Sequence, residues 1–185
     1  MSITLITLVV IILILVYLYN SLISKKNQVE NIFGTVDVQL KKRYGLVPNL
    51  VASVNRYMQH ERELLEKITS LRAKAINPNI SSDEKIRLDS QISSALGSIM
   101  VSIEDYPELK ANENILNLQL TLNELESQIS ASRRAYNQAV TDYNNAIEMI
   151  PTNIMAKGMN YKRKEVFSID ENSRENVDVS NLFNN

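Results

Sequence analysis

The first 24 residues of the chain contain no charged side chain. Within them, Ile3 to Tyr19 reads ITLITLVVIILILVYLY, and two threonines are its only clearly polar residues. A helix over residues 3–23 would be about 31 Å long, which matches a hydrocarbon core of ~30 Å. Tyr17 and Tyr19 then fall near its exit, where amphipathic rings favour the interface. A cleaved leader needs a basic stretch before the apolar run and a small-residue site after it; here no Lys or Arg precedes it and no Ala-x-Ala pattern follows. A buried helix of a soluble protein is rarely apolar all round over this length. The expectation is a transmembrane signal-anchor helix over 1–24 that makes the membrane the first partner. Lys25 and Lys26 follow directly. The positive-inside tendency therefore places the N-terminus outside and the rest in the cytoplasm.

The remainder points to an all-α fold, a transmembrane helix leading into an antiparallel bundle of long helices. Four glycines and four prolines in 185 residues are too few for a chain of tight β-turns. Val29, Phe33, Val36 and Leu40 lead into Val47, Val51, Val54, Met58, Leu65 and Ile68 by steps of three, four and seven, the mark of an amphipathic helix. Pro78 stops that run. Ser81 and Glu84 have capping-box spacing and restart it. Leu88, Ile92, Ala95, Ile99 and Ile103 form the next apolar face. Asp105 as N-cap and Pro107 in the first turn then open a last helix. Its heptad seam, Leu118, Leu122, Leu125, Ile129, Ser132, Tyr136, Ala139, Tyr143, Ala146 and Ile150, alternates fours and threes like a coiled coil. The bundle is expected over 25–156 and an extended tail over 157–185, where only short alternations such as Val177 and Val179 remain.

The segment KKRYGLVPNLV (41–51) decides the topology, because Gly45 and Pro48 interrupt the first long pattern. A reversal there would follow a rise of about 30 Å from the membrane with a descent of roughly 43 Å to residue 76. That descent would drive Arg56, Glu63, Lys67 and their neighbours into lipid. The expectation is therefore one helix over about 25–76, kinked at Gly45 and Pro48. A helix over 82–104 returns, and one over 108–150 runs parallel to the first. The last helix would then overshoot its neighbours by ~30 Å. Its distal positions Tyr136, Ala139, Tyr143, Ala146 and Ile150 would need cover from the folded-back tail or from a second copy, and a homo-oligomer is the expectation.

The stretch YNSLISKKNQVENIFGTVDVQLKKRYGLVPNLVASVNRYMQHE (19–61) closely resembles the opening of the LemA family, with its D-V-Q-L and P-N-L-V blocks. Residues 106–156, from YPELKAN through RRAYNQAVTDYNNA to PTNIMA, resemble the second half of that family's pattern. The family's tryptophan before D-V-Q-L is absent here, and Gly158 is followed by Met159 instead of Phe. The resemblance implies a membrane-anchored helical bundle and brings no established catalytic residues. One branch is similar to proteins of bacterial magnetosome membranes, so membrane shaping by ordered arrays stands as an alternative role.

Little in the chain suggests chemistry. There is no cysteine, hence no disulfide, thiolate metal site or cysteine nucleophile. The single histidine, His60, excludes the paired Glu-x-x-His elements of a di-iron bundle and the two histidines of a zincin. Phosphate-binding glycine loops are absent. No cofactor and no small-molecule substrate are expected, and a net charge of −1 gives no basic stripe for nucleic acid. Three polar residues stand out as structural candidates. Asp37 has Lys41 at i,i+4. Glu61 lies on the main apolar stripe, either reaching solvent or paired with a base. Arg133 joins His60 and Glu61 in the alternative reading, an enzyme whose pocket those three would line. Lys41, Lys42 and Arg43 read as a solvated face. The favoured function is a non-enzymatic scaffold or adaptor of the cell envelope, presenting its bundle to itself or to a membrane-protein partner.

Overall fold

The computed structural model describes residues 2–167. Six helices follow one another: α1 (Ser2–Val54), α2 (Arg62–Ala75), α3 (Ser82–Ile103), the single turn α4 (Pro107–Lys110), α5 (Glu113–Glu148) and α6 (Thr152–Gly158). The described chain is all-helical, as the periodicity predicts. The apolar run is the first third of α1, and Ile3 to Tyr17 is exposed throughout. Leu22 is the first wholly buried residue. From there the same helix continues as a wall of the bundle.

The topology differs from the expected one. Gly45 and Pro48 lie inside α1, which runs on unbroken to Val54. The reversal comes seven residues after Pro48, in the loop 55–61. There Met58 is wholly buried and its amide donates to the Val54 carbonyl. Arg72 of α2 reaches back to Tyr44 of α1, so α2 descends along α1. The geometric objection to a hairpin assumed a descent to residue 76 that began at Pro48. A later turn leaves α2 only 14 residues, or about 21 Å, which ends far short of the apolar run. The stripe misled because Val54, Met58 and Leu65 keep helical spacing across a loop that is not helical.

Because of that extra reversal, α5 runs antiparallel to α1, where the sequence reading had it parallel. Arg43 meets Glu126, Phe33 meets Tyr136, and Lys25 meets Asp142. A step down α1 is thus matched by a step up α5. α3 rises beside both, with Lys85 at Asp37 and Asp89 at Arg43. Short connections and up-down-up-down order are the usual economy of a helical bundle. The core threads Val29, Val36, Leu40 and Leu50 of α1 with Ile68, Ile92, Ile99, Ile129 and Val140 from the other helices. Each such side chain contributes roughly 1.5–3 kcal/mol by leaving water.

Helix starts follow their capping chemistry. Ser81 accepts from the Glu84 amide at 3.1 Å. The last long helix starts later than Asp105 suggested. Tyr106 precedes the single turn of α4, and Asn112 caps α5 by accepting from the amides of Asn114 and Ile115.

The overshoot disappears with the corrected direction. Tyr136, Ala139 and Tyr143 are each 2% exposed, covered by α1 and by the chain after α6, so they offer no surface to a second copy. Ala146 is half-buried and only Ile150 stands free. The tail does return, but 152–158 is helical, and residues 161–167 run back up α5. The part of the expected tail beyond 167, including Val177 and Val179, lies outside the described residues.

Candidate functional site: a closed ionic ring and a repaired proline

Val29, Val36, Arg43 and Leu50 stand at strict heptad spacing on α1, and all four are buried. An arginine therefore occupies a core position. Its guanidinium, 1% exposed, donates from Nη2 to Asp89 Oδ1 and from Nη1 to Glu126 Oε2 at 2.6 Å. Arg133 closes the circuit, with Nη2 on Asp89 Oδ2 and Nη1 on Glu126 Oε1 at 3.3 Å. The Ser93 hydroxyl accepts from both arginines, at 2.9 and 3.3 Å. Two cations and two carboxylates thus form a ring across α1, α3 and α5. Asp89 is wholly buried in it, and Glu126 lies at its wet edge. All four carboxylate oxygens are engaged, while the Nε atoms of Arg43 and Arg133 are buried without a partner. Such a ring fixes helix register, since a slip by one residue would strand a buried charge.

A second polar contact repairs the proline. In a regular helix the Tyr44 carbonyl accepts from the amide of residue 48. Pro48 has none, and its ring crowds that carbonyl. Arg72 supplies the missing donor, with Nε 2.8 Å from Tyr44 O. This contact also pins α2 against α1. Arg72→Met is expected to cost about 1.5–3 kcal/mol, the worth of a hydrogen bond from a charged donor. In a Pro48→Ala background, where the helical amide returns, the same change should cost much less. Urea unfolding of the four variants measures the difference.

The tail is held by a repeated pair. Tyr136–Asn137 and Tyr143–Asn144 stand seven residues apart on α5. Each tyrosine is buried. Each asparagine acts as a mock strand for the returning chain. Asn144 donates to Lys164 O and accepts from Lys164 N, both at 3.0 Å. Asn137 does the same with Phe167, both at 2.8 Å. Tyr143 adds a bond from its hydroxyl to Lys162 O at 3.1 Å. Tyr136 lies between Phe33 and Phe167, its ring centroid 5.5 and 5.3 Å from theirs.

The residues singled out from sequence are dispersed. Asp37 accepts from Lys41 at 2.9 Å and also from Lys85 of α3 at 2.6 Å. Burial alone would raise its pKa, but these two ammonium groups outweigh it and hold the carboxyl below the ordinary 3.8. Glu61 accepts from the Tyr106 hydroxyl at 2.8 Å, a phenol where a base was one of the two readings. That carboxylate, as hydrogen-bond acceptor, is the main reason the Tyr106 phenol is shifted upward. His60 is exposed beside it, at the end of the bundle far from the apolar run. Arg133 belongs to the ring at the level of Arg43, about 17 Å below the end of α1 by helical rise. A groove of about 800 Å³ does open between the end of α1 and α2, lined by Val51, Asn55, Met58, Arg62, Leu65 and Glu66 among others, but His60, Glu61 and Arg133 are not among its walls. Lys41 and Lys42 are solvated, whereas Arg43 is not. The readable signal for Arg43 was its heptad phase with Val36 and Leu50. For Asp89 it was the spacing Ile86, Asp89, Ser93, Leu96 on the inner face of α3.

Comparison with known proteins adds to this geometry. Protein LemA of Metamycoplasma hominis is 30% identical over 165 residues, covering 89% of this chain and 75% of that protein. Magnetosome protein MamQ 2 of Paramagnetospirillum magneticum is 33% identical over 79 residues, covering 43% of this chain and 29% of that one. Magnetosome protein MamQ of Magnetospirillum gryphiswaldense is 21% identical over 192 residues, covering 90% and 71%. A family model described as the LemA family matches residues 32–181. That span takes in the ionic ring, the proline repair and both Tyr-Asn pairs, and with it the chain belongs to the LemA family.

Proposed function

We propose that the protein is a membrane-anchored scaffold without catalytic activity, whose helical bundle stands on the cytoplasmic face and engages a membrane-protein partner. One observation carries the reading. Leu22, at the end of the apolar run, is wholly buried in the base of the bundle. The run is thus continuous in one helix with the fold, which supports its role as an anchor. The fate of the buried charges supports the absence of catalysis: both Asp89 oxygens and both Arg43 Nη atoms are committed to partners within the ring. Lys25, Lys26, Lys157, Lys162, Arg163 and Lys164 gather at the membrane end, which favours the cytoplasmic side. Similarity to magnetosome proteins favours a second reading, in which copies array on a membrane and shape it.

Alkaline carbonate extraction tests the anchor. The full chain should stay with the membrane pellet, and removal of residues 2–19 should release it; full-length protein in the supernatant would overturn the proposal. Cross-linking in native membranes followed by mass spectrometry then separates the two roles, a distinct membrane protein supporting the scaffold and chain-to-chain links in ordered arrays supporting membrane shaping.

A further inference from the structure

The base of the bundle carries an apolar ledge that the fold does not cover. Met149, Ile150 and Ile154, at the turn from α5 into α6, are 64%, 83% and 70% exposed. Their height is set by contacts on either side of the turn. Lys25 pairs with Asp142 at 3.0 Å, and Lys26 lies 5.8 Å from the centre of the Tyr161 ring. Below Asp142, α5 descends six more residues to Glu148, or about 9 Å, which brings the turn level with residues around Tyr17 to Tyr19. These are the residues at which the apolar run ends. Any bilayer crossed by Ile3–Tyr19 therefore meets the ledge at its surface.

We propose that the α5–α6 turn is a second membrane contact, with Met149, Ile150 and Ile154 seated in the interfacial layer of the bilayer that α1 crosses. This deepens the anchor reading and rests on it. The surrounding charge suits anionic headgroups. Arg163 is paired with Glu148, but Lys157 and Lys162 make no ion pair among the described residues. A protein partner fits less well, since three side chains fall well short of the ~800 Å² that a stable interface buries on each side. Interfacial segments of this kind combine apolar insertion with a cationic rim.

The chain has no cysteine, so single labels are simple to place. Full-length Ile150→Cys and Ile154→Cys, each carrying a nitrobenzoxadiazole dye, are reconstituted in phosphatidylcholine–phosphatidylglycerol vesicles. Val10→Cys marks the apolar run, and Val101→Cys, 71% exposed on α3, marks water. Dyes at 150 and 154 should be blue-shifted relative to 101, lose fluorescence to lipid-borne nitroxide, and resist aqueous iodide. A dye at 10 that reports lipid while those at 150 and 154 report iodide overturns the ledge and leaves the anchor standing. Shielding of 150 and 154 from both quenchers means a protein covers them and also overturns it. Iodide quenching at position 10 overturns the anchor and the ledge together. Lys157→Glu with Lys162→Glu should move the dye at 154 toward iodide in anionic vesicles only; no movement removes the headgroup part of the proposal.

Discussion

Asp89→Ala should destabilise the bundle by about 3–5 kcal/mol, because it leaves the guanidinium of Arg43 buried with half of its compensation gone. For a chain of this size that is a fall in midpoint of roughly 6–20 °C. The cost comes from the stranded cation more than from the lost attraction. Removing both partners should therefore be far milder. Arg43→Met with Asp89→Leu replaces the buried half of the ring by apolar groups of similar bulk, and Arg133 keeps Glu126 as its counter-ion. Most of the loss should be recovered in the double variant, as it is when buried ion pairs are exchanged for well-packed apolar groups. Thermal melts of detergent-solubilised full-length protein give the three numbers. A double variant as unstable as Asp89→Ala would mean that the ring contributes net stability beyond register.

The second large effect is at Tyr136. Truncation to alanine removes the ring that joins Phe33 of α1 to Phe167 of the tail. A loss of about 3–5 kcal/mol is expected for an aromatic side chain cut from a core, with weakened docking of residues 161–167. Tyr136→Phe keeps the packing and should be close to neutral at pH 7. It should differ at high pH. Burial, helped by the charges of Asp83 and Glu165, pushes the Tyr136 phenol up to about 12 from 10.0. The folded pKa lies above the unfolded one, so the phenol's contribution is whole below pH 10 and is lost as pH climbs toward 12. Tyr44 is raised in the same direction, chiefly by burial and then by Asp89. Stability should therefore be level up to about pH 10 and fall beyond it. The fall should be shallower in Tyr136→Phe.

Helical content, the long apolar N-terminal helix and most core positions were legible because each leaves a regular trace over many residues. The direction of the chain was not. Val54, Met58 and Leu65 are buried at spacings that a continuous helix would also give, so periodicity cannot distinguish a loop whose one inward side chain keeps the phase. Pro48 drew attention as a break, yet its missing donor is made good by Arg72, 24 residues further on, a compensation visible only in three dimensions. The ring was half legible. Arg43 shares the heptad of Val36 and Leu50, but its neighbours Lys41 and Lys42 disguise it as part of a charged run. The Tyr-Asn repeat sits within the stretch that carries the family resemblance, although its role as a clasp for the tail depends on where that tail returns.

α1 is one uninterrupted element of 53 residues, about 80 Å from end to end, and it has no break between the apolar run and the bundle. Whatever leans the apolar section leans the whole tower. A slant of about 20°, ordinary for a spanning helix, would carry the far end of its water-side section sideways by roughly 15 Å. In the proposed anchored state, thinner or thicker lipid would thereby be converted into a displacement at the opposite pole, and a neighbour bound there would register the physical state of the bilayer without touching it.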